Sequence, residues 1–473
     1  MTCLHKLAAG AAAALLLSGC ASLSEDGGFS TVARISHDRL GASASDMRLL
    51  RNDEDASALT QLIAKKLEQP LSMDDAVQIA LLNNRSLQAT YWSLGIAEAD
   101  LVQAGRLQNP VLDFKRTHDG SDVGIERTLT FNLLNVLTAP LASRIEARRY
   151  EQTKLLVAEE ALKVAADTRR AWVEAVAAIQ SSAYAKQISA SAEAGAELAN
   201  RMRQAGNWSQ LDLAREQAYH AQAVADASRA DMAAIAAREK LARLLGLSGA
   251  QAAYPLPDHL PELPDSPRTL VDVEQTALHE RLDIQAATLE TQHTAAALGL
   301  TRGTRFINVL DLGAVKNSSG GKSAPGYELT LEIPLFDWGD ARVARGEASY
   351  MQSVHRLAAV ASNARSEARE SYAAYHSTYD LARHYRDSVI PLRKQISDQT
   401  LLRYNGMLVS VFELLADARE QAAAVNGYIG ALKDFWLAQA NLEAALGGRL
   451  PAAQNAASSA SPASQNAPTG ANP

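Results

Sequence analysis

The stretch RYNGMLVSVFELLADAREQ, residues 403–421, decides the fold because it reads as two helices joined by a tight turn. Asn405 and Gly406 stand where a periodic helical run stops, and Gly tolerates the left-handed conformation that such a stop requires. Ser410 then occupies the position of an N-cap, with Glu413 three residues later as its capping-box partner. The stretch therefore predicts the tip of a helical hairpin.

A second copy of this tip occurs earlier in the chain. Residues 201–217 read RMRQAGNWSQLDLAREQ, with Gly206, then Ser209, then an acidic residue, Asp212. The N-cap serines of the two tips are 410 − 209 = 201 positions apart. Similar spacings relate three further pairs of landmarks: Leu81 with Leu278, Thr130 with Thr330, and Gly246 with Gly447. We therefore predict two copies of one unit, and such a repeat decides the fold.

The first copy is predicted to span residues 70–250 and to begin with two helices, the first of them capped by Ser72. A β-hairpin follows at 111–134, with strands at 111–117 and 125–134. The second copy, residues 268–448, has its hairpin at 306–336. In this second hairpin, a strand at 306–316 and a flexible loop at 317–321 precede a run in which apolar and polar residues alternate. That period of two predicts a strand with one apolar face.

Each β-hairpin is followed by a long helical hairpin. Residues 141–254 contain no proline, which predicts a helix of about 60 residues, near 90 Å in length, and a return helix of about 35 residues. Helices of this length are typical of coiled-coil packing. In the second copy, Pro391 falls inside the corresponding helix and is expected to kink or break it within one turn.

The remaining segments have other predicted roles. Residues 1–19 read as a lipoprotein signal peptide, because the sequence Leu-Ser-Gly-Cys ending at Cys20 matches a bacterial lipobox. Lipidation is therefore expected at Cys20, and Ala21 favours the outer membrane as the destination. Residues 20–69 are predicted to form an extended arm with a short helix near 58–67. The proline-rich residues 251–267 are expected to form an extended spacer, and 449–473 a disordered tail.

Composition argues against several classes of function. The net charge of −7 is spread along the chain and gives no support for a nucleic-acid partner. The ten His and seven Met are scattered, so no metal site, cofactor site or catalytic constellation is predicted, and the chain is not expected to be an enzyme. Beyond the N-terminus, no apolar run reaches the length of a transmembrane helix.

The predicted strands pose a physical problem that points to a shared barrel. Each chain offers four strands, but a four-stranded sheet in lipid leaves unpaired edges. Closed membrane barrels begin at about eight strands. The strands of several subunits must therefore close one barrel, from which the long helices continue as a tube.

Three stretches resemble the TolC family of outer-membrane efflux proteins: PLSMDDAVQIALLNN (70–84), IPLFDWGDAR (333–342) and YNGMLVSVFELLADAR (404–419). The resemblance covers residues 69–448. It implies a mainly α fold with a small β part, in which a homotrimer shares one twelve-stranded β-barrel and the duplicated helices form an α-barrel. The implied function is the exit duct of a tripartite, RND-type efflux system, with a periplasmic adaptor and an inner-membrane pump as partners. The protein would lie in the outer membrane, in contact with its lipid, and extend into the periplasm.

One part of the sequence departs from the family pattern. Residues 131–144, FNLLNVLTAPLASR, lack the Pro-Leu-Phe-x-x-Gly ending of the second hairpin. The first corner between strand and helix is therefore expected to differ in shape from the second.

The hairpin tips also carry the candidate gate of the duct. At the shift of 201, Asp212 matches Glu413 and Glu216 matches Asp417, and each pair is spaced i,i+4 on one helix face. The resemblance implies a closed aperture here, with Phe412 as a candidate constricting residue. The alternative is that these acids are ordinary solvated charges near helix N-termini.

A function without a pore is also compatible with part of the sequence. A structural periplasmic coiled-coil lipoprotein would have the same long helices and the same anchor. Such a protein would not need the alternating strands, so the strands discriminate between the two hypotheses.

Overall fold

The computed structural model describes residues 22–120 and 122–448. The predicted signal peptide, the lipidation residue Cys20 and the predicted tail at 449–473 lie outside these residues. In the described part, the same order of elements occurs twice, as two shorter helices, a β-hairpin and a long helical hairpin.

The first set of elements begins after two N-terminal helices, α1 (Phe29–Leu40) and α2 (Asp53–Lys66). The set comprises α3 (Met73–Asn83), α4 (Arg85–Gly105), β1 (Val111–Asp119), β2 (Asp122–Asn132), α5 (Leu133–Gln204) and α6 (Gln210–Leu245). With 72 residues, α5 is about 108 Å long at 1.5 Å per residue.

The second set has the same order with one interruption. It comprises α7 (Val273–Glu280), α8 (Leu282–Gly303), β3 (Leu310–Ser319), β4 (Lys322–Leu331), α9 (Asp340–His384), a π-helical turn (Tyr385–Val389), α10 (Ile390–Asn405) and α11 (Val411–Ala445). The π-helical turn ends two residues before Pro391, so the predicted break within one turn of this proline is confirmed. Proline cannot donate the backbone hydrogen bond that a continuous α-helix would need there.

Several predicted strand boundaries are wrong. The second strand ends at Asn132 rather than at residue 134, because the Asn132 side chain accepts a hydrogen bond from the Asn135 amide at 2.6 Å and caps α5. The predicted loop at 317–321 is largely strand, since pairing continues to Ser319 and Lys322. Gly320 and Gly321 alone make the turn, with φ of 56° and 75°, the conformation that tight hairpins favour. The third strand begins at Leu310 rather than at residue 306.

The two corners between strand and helix differ, as the sequence predicts. In the first set, α5 begins directly after β2 and includes Pro140. In the second, the residues between β4 and α9 are irregular and end at Gly339, whose φ is 72°. A Cβ at Gly339 would lie 2.5 Å from the Arg305 carbonyl oxygen, so only glycine fits this corner.

The N-terminal arm is helical rather than extended. Phe29, at the start of α1, packs edge-on against Tyr91 with ring centroids 5.0 Å apart. The Tyr150 hydroxyl donates to the Gly27 carbonyl at 2.9 Å, and the Ser24 amide donates to Glu98 at 2.9 Å. The Asp26 carboxylate accepts a hydrogen bond from the Ser30 amide at the start of α1, and hydrogen bonding from Ser30 lowers the pKa of Asp26 to about 2. The arm therefore packs along α4 and α5.

The proline-rich segment begins in a short 3₁₀ turn at Gly249–Ala252 and is otherwise without regular helix or strand, and it packs against the helices instead of acting as a free spacer. Its Tyr254 and Leu260 are buried in the main hydrophobic core. The Tyr379 hydroxyl donates to the Asp265 carbonyl at 2.6 Å, and the Trp436 indole donates to the Pro261 carbonyl at 3.0 Å. These bonds tie the segment to α9 and α11.

A buried ion pair joins the two sets of elements. Arg169 of α5 and Glu443 of α11 are both buried and lie 3.0 Å apart. Nearby, burial and the charge of Asp283 raise the pKa of Glu159, although Arg281 opposes this shift.

None of the helices in the described residues combines the length and apolar character of a membrane span.

Candidate channel elements

The four strands form one antiparallel sheet in the order β1-β2-β3-β4. Within the described residues, β1 and β4 each pair on one side only, so both outer edges of the sheet carry free backbone groups. An unpaired edge is not stable in lipid. Each of the two outer edges can therefore pair with a further strand.

The register divides the sheet into two chemically different faces. The first face carries eight large apolar residues: Leu112, Phe114, Leu129, Phe131, Leu312, Tyr327, Leu329 and Leu331. All eight are exposed in the single chain, from 36% for Leu129 to 86% for Tyr327. The second face carries polar residues, among them Asp113, Thr128, Thr130 and Glu328. An apolar outer face and a polar inner face are typical of membrane barrels.

The first hairpin tip has the geometry that its sequence predicts. Gly206 has φ of 78°, and the amide of Asn207 donates to the carbonyl of Met202 at 2.9 Å. Ser209 caps α6 by accepting a hydrogen bond from the Asp212 amide at 3.2 Å. This is the left-handed helix end followed by an N-cap.

The second tip differs at one position. Gly406 has φ of −82°, whereas Met407 has φ of 57° and takes the left-handed position that Gly406 was expected to fill. The shift of 201 explains this difference, because 407 − 201 = 206 and Met407 therefore corresponds to Gly206. Met407 is 94% exposed, so no packing contact offsets the steric cost of this conformation for a residue with a Cβ. Ser410 caps α11 as predicted, through the Glu413 amide.

The two tips are joined by aromatic packing. Phe412 stacks on Trp208 with centroids 4.2 Å apart and planes 9° from parallel. Trp208 also belongs to a small hydrophobic cluster with Ala199, Leu213 and Val411. Trp208 is not among the residues predicted from sequence, although a tryptophan next to a helical turn is a signal that could have identified it. In this chain Phe412 packs against the neighbouring tip and is 40% exposed.

The four candidate carboxylates lie in different environments. Glu216 is buried, and Arg419 of α11 donates to its Oε2 at 2.5 Å. The Arg419 guanidinium also lies over the Tyr219 ring, 4.1 Å from its centroid. Glu216 therefore links the two hairpins instead of carrying a free charge.

The other three acids lie nearer the surface. Asp212 accepts a hydrogen bond from the Ser209 hydroxyl at 2.6 Å and has Arg215 at 3.5 Å. Glu413 is exposed. Asp417 is half-buried, and its Oδ2 is buried without a hydrogen-bond partner among the described residues. Within residues 22–120 and 122–448, no group of three His, Cys, Asp or Glu side chains is arranged to hold a metal ion.

Comparison of the sequence with known proteins finds similarity to a resistance protein. No model of a protein family matches the chain. By sequence, the chain is similar to the cobalt-zinc-cadmium resistance protein CzcC of Cupriavidus metallidurans, with 22% identity over 406 residues, 83% of this chain and 93% of CzcC.

Solved structures of channel proteins have the same fold. The Campylobacter jejuni outer-membrane channel CmeC matches with a TM-score of 0.70 and 16% identity, over 80% of this chain and 85% of CmeC. The open state of the Neisseria gonorrhoeae outer-membrane channel MtrE matches with a TM-score of 0.66 and 18% identity, over 80% of this chain and 89% of MtrE. The chain therefore has the fold of the TolC-type outer-membrane channels, mainly α with a small β part.

Proposed function

We propose that this protein is the outer-membrane exit duct of a tripartite efflux system, assembled as a homotrimer. The observation that carries the proposal is the four-stranded sheet, which has an exposed apolar face and two unpaired edges. Three such sheets, with β1 of one chain beside β4 of the next, supply twelve strands and leave no edge. The apolar faces then contact lipid and the polar faces line the lumen.

The helices support the same proposal. A helix of about 108 Å is several times longer than a bilayer is thick, so it extends far beyond the membrane. Three copies of the helical hairpins continue the barrel into the periplasm as a tube. A periplasmic adaptor and an inner-membrane pump are the partners proposed for its far end. A coiled-coil lipoprotein without a pore accounts for the helices but not for the two-faced sheet.

Conductance in planar bilayers tests the proposal. We expect the purified protein to run as a heat-modifiable trimer and to produce discrete current steps. Leu329→Asp and Leu331→Asp place charges on the apolar face and should abolish insertion. Thr330→Asp, on the polar face between them, is the matched control and should insert as the wild type does. A monomer that inserts without current steps contradicts the proposal.

A further inference from the structure

Three cationic side chains interrupt the apolar face of the sheet close to its turns. Arg116, Arg127 and Lys316 lie on the same face as Phe114, Leu129 and Leu312, on β1, β2 and β3 respectively. Arg127 and Lys316 are direct partners across the two strands, and Arg116 is opposite Ile125, two residues from Arg127. We call these three residues the basic row.

The basic row has no anionic counterpart on its own face. All three side chains are exposed, and none forms an ion pair within the described part of the chain. The guanidinium of Arg127 lies 5.9 Å from the centroid of the Phe114 ring, which holds it at the surface. Like charges directly opposite in a sheet repel each other. An external anion between Arg127 and Lys316 would remove this repulsion.

The position of the row along the strands matches a membrane surface. The row lies toward the turn at Gly320 and Gly321, at the end of the sheet opposite the long helices. On β4, the residue beside the row is Pro325, the partner of Lys316. From there, exposed apolar residues continue toward the long helices as far as Leu335 and Phe336. The strand rises about 20 Å over the six residues from Pro325 to Leu331, or about 15 Å along the membrane normal when it is tilted by about 40°. The exposed apolar residues continue beyond the strand, so the basic row lies at the outer limit of the apolar face and not within it.

We propose that the basic row binds the phosphate groups of an anionic lipid in the outer leaflet. The proposal rests on the proposed function, because it requires the apolar face to contact lipid. Guanidinium groups bind phosphate oxygens in pairs, and an ammonium group adds a compact charge. Clusters of Lys and Arg next to an apolar surface are typical of sites for lipid headgroups. Each trimer would present three such sites, one per chain.

Native mass spectrometry of the detergent-solubilised trimer tests the proposal, with diphosphoryl lipid A as the probe. The test variant is Arg127→Gln with Lys316→Gln. The matched control is Lys115→Gln with Lys322→Gln, which removes the same charge from the same sheet but from its polar face. Removal of one charge near a lipid headgroup weakens binding about five-fold, so we expect a loss of about 25-fold in the test variant and little change in the control.

Three results would overturn the lipid site. The test variant could bind diphosphoryl lipid A as tightly as the wild type, or the control could lose as much affinity. Inorganic phosphate could displace the lipid at millimolar concentration, which would indicate a site for free phosphate. Bilayer conductance separates this proposal from the proposed function. If the wild type makes pores but the test variant keeps its lipid, only the basic row is refuted, whereas absence of pores refutes the duct.

Discussion

The ion pair between Glu216 and Arg419 gives the sharpest test of how the two hairpins are held together. Glu216 belongs to α6, in the first set of elements, and is 5% exposed, whereas Arg419 belongs to α11, in the second. Substitution Arg419→Met keeps most of the apolar stem but leaves the Glu216 carboxylate buried without its partner. We therefore expect the first hairpin to separate more easily from the second.

The magnitude follows from the burial of the two side chains. Breaking a fully buried ion pair costs about 3–5 kcal/mol. The side chain of Arg419 is 34% exposed, so water already screens part of the interaction. We expect about 2 kcal/mol, which corresponds to about 30-fold faster hydrogen exchange of the α6 amides next to Glu216.

The pair of Arg393 and Glu420 provides the control. It joins α10 to α11 within one hairpin, and Glu420 is 60% exposed, so its loss should cost less than about 1 kcal/mol. Arg393→Met should therefore change exchange in α6 by less than about five-fold. Equal protection of the α6 amides in Arg419→Met and Arg393→Met would refute the reasoning that this pair holds the hairpins together.

Four further predictions concern other parts of the chain. Met407→Gly should stabilise the second tip by about 1 kcal/mol, because glycine adopts positive φ without a Cβ clash; unchanged or faster exchange of the tip amides would contradict this. The double variant Glu413→Ala with Asp417→Ala should reduce cation selectivity in planar bilayers, whereas the same reversal potential as the wild type would reject both acids as gate residues. Burial raises the pKa of Glu159, so its ionised form destabilises the fold. Glu159→Gln should therefore raise the free energy of unfolding at pH 7. This increase should vanish below about pH 4, where the carboxyl is protonated in the folded and the unfolded state, and thermal unfolding at the two pH values measures it. Cys20→Ala should abolish palmitate labelling and leave the repeat fold intact, and equal labelling of variant and wild type would exclude the lipobox.

Much of the architecture can be predicted from local sequence patterns. The helical hairpins are predictable because a cap such as Ser209 or Ser410 depends on neighbours only three residues away. The two-faced sheet is predictable because side chains alternate along a strand whatever the strand packs against. Duplication adds a second, independent view of each element. For these reasons the order of elements, the tips and the break near Pro391 follow from sequence.

Element boundaries and side-chain partners depend on contacts that sequence does not display. The end of β2 at Asn132 was not predictable, because the local residues are compatible both with further strand pairing and with an N-cap. The left-handed conformation of Met407, by contrast, could have been predicted, since the shift of 201 aligns Met407 and not Gly406 with Gly206.

The candidate gate shows the same division between sequence and tertiary structure. The i,i+4 spacing correctly places Asp212 and Glu216 one turn apart, but it cannot show which of them faces another helix. That choice depends on Arg419, which is 419 − 216 = 203 residues away in the chain and lies beside Glu216 only when the two repeats pack together. Sequence by itself determined which acids stand near the tips. Only the tertiary structure decided which of them is buried and paired with a cation, because the partner comes from a distant part of the chain.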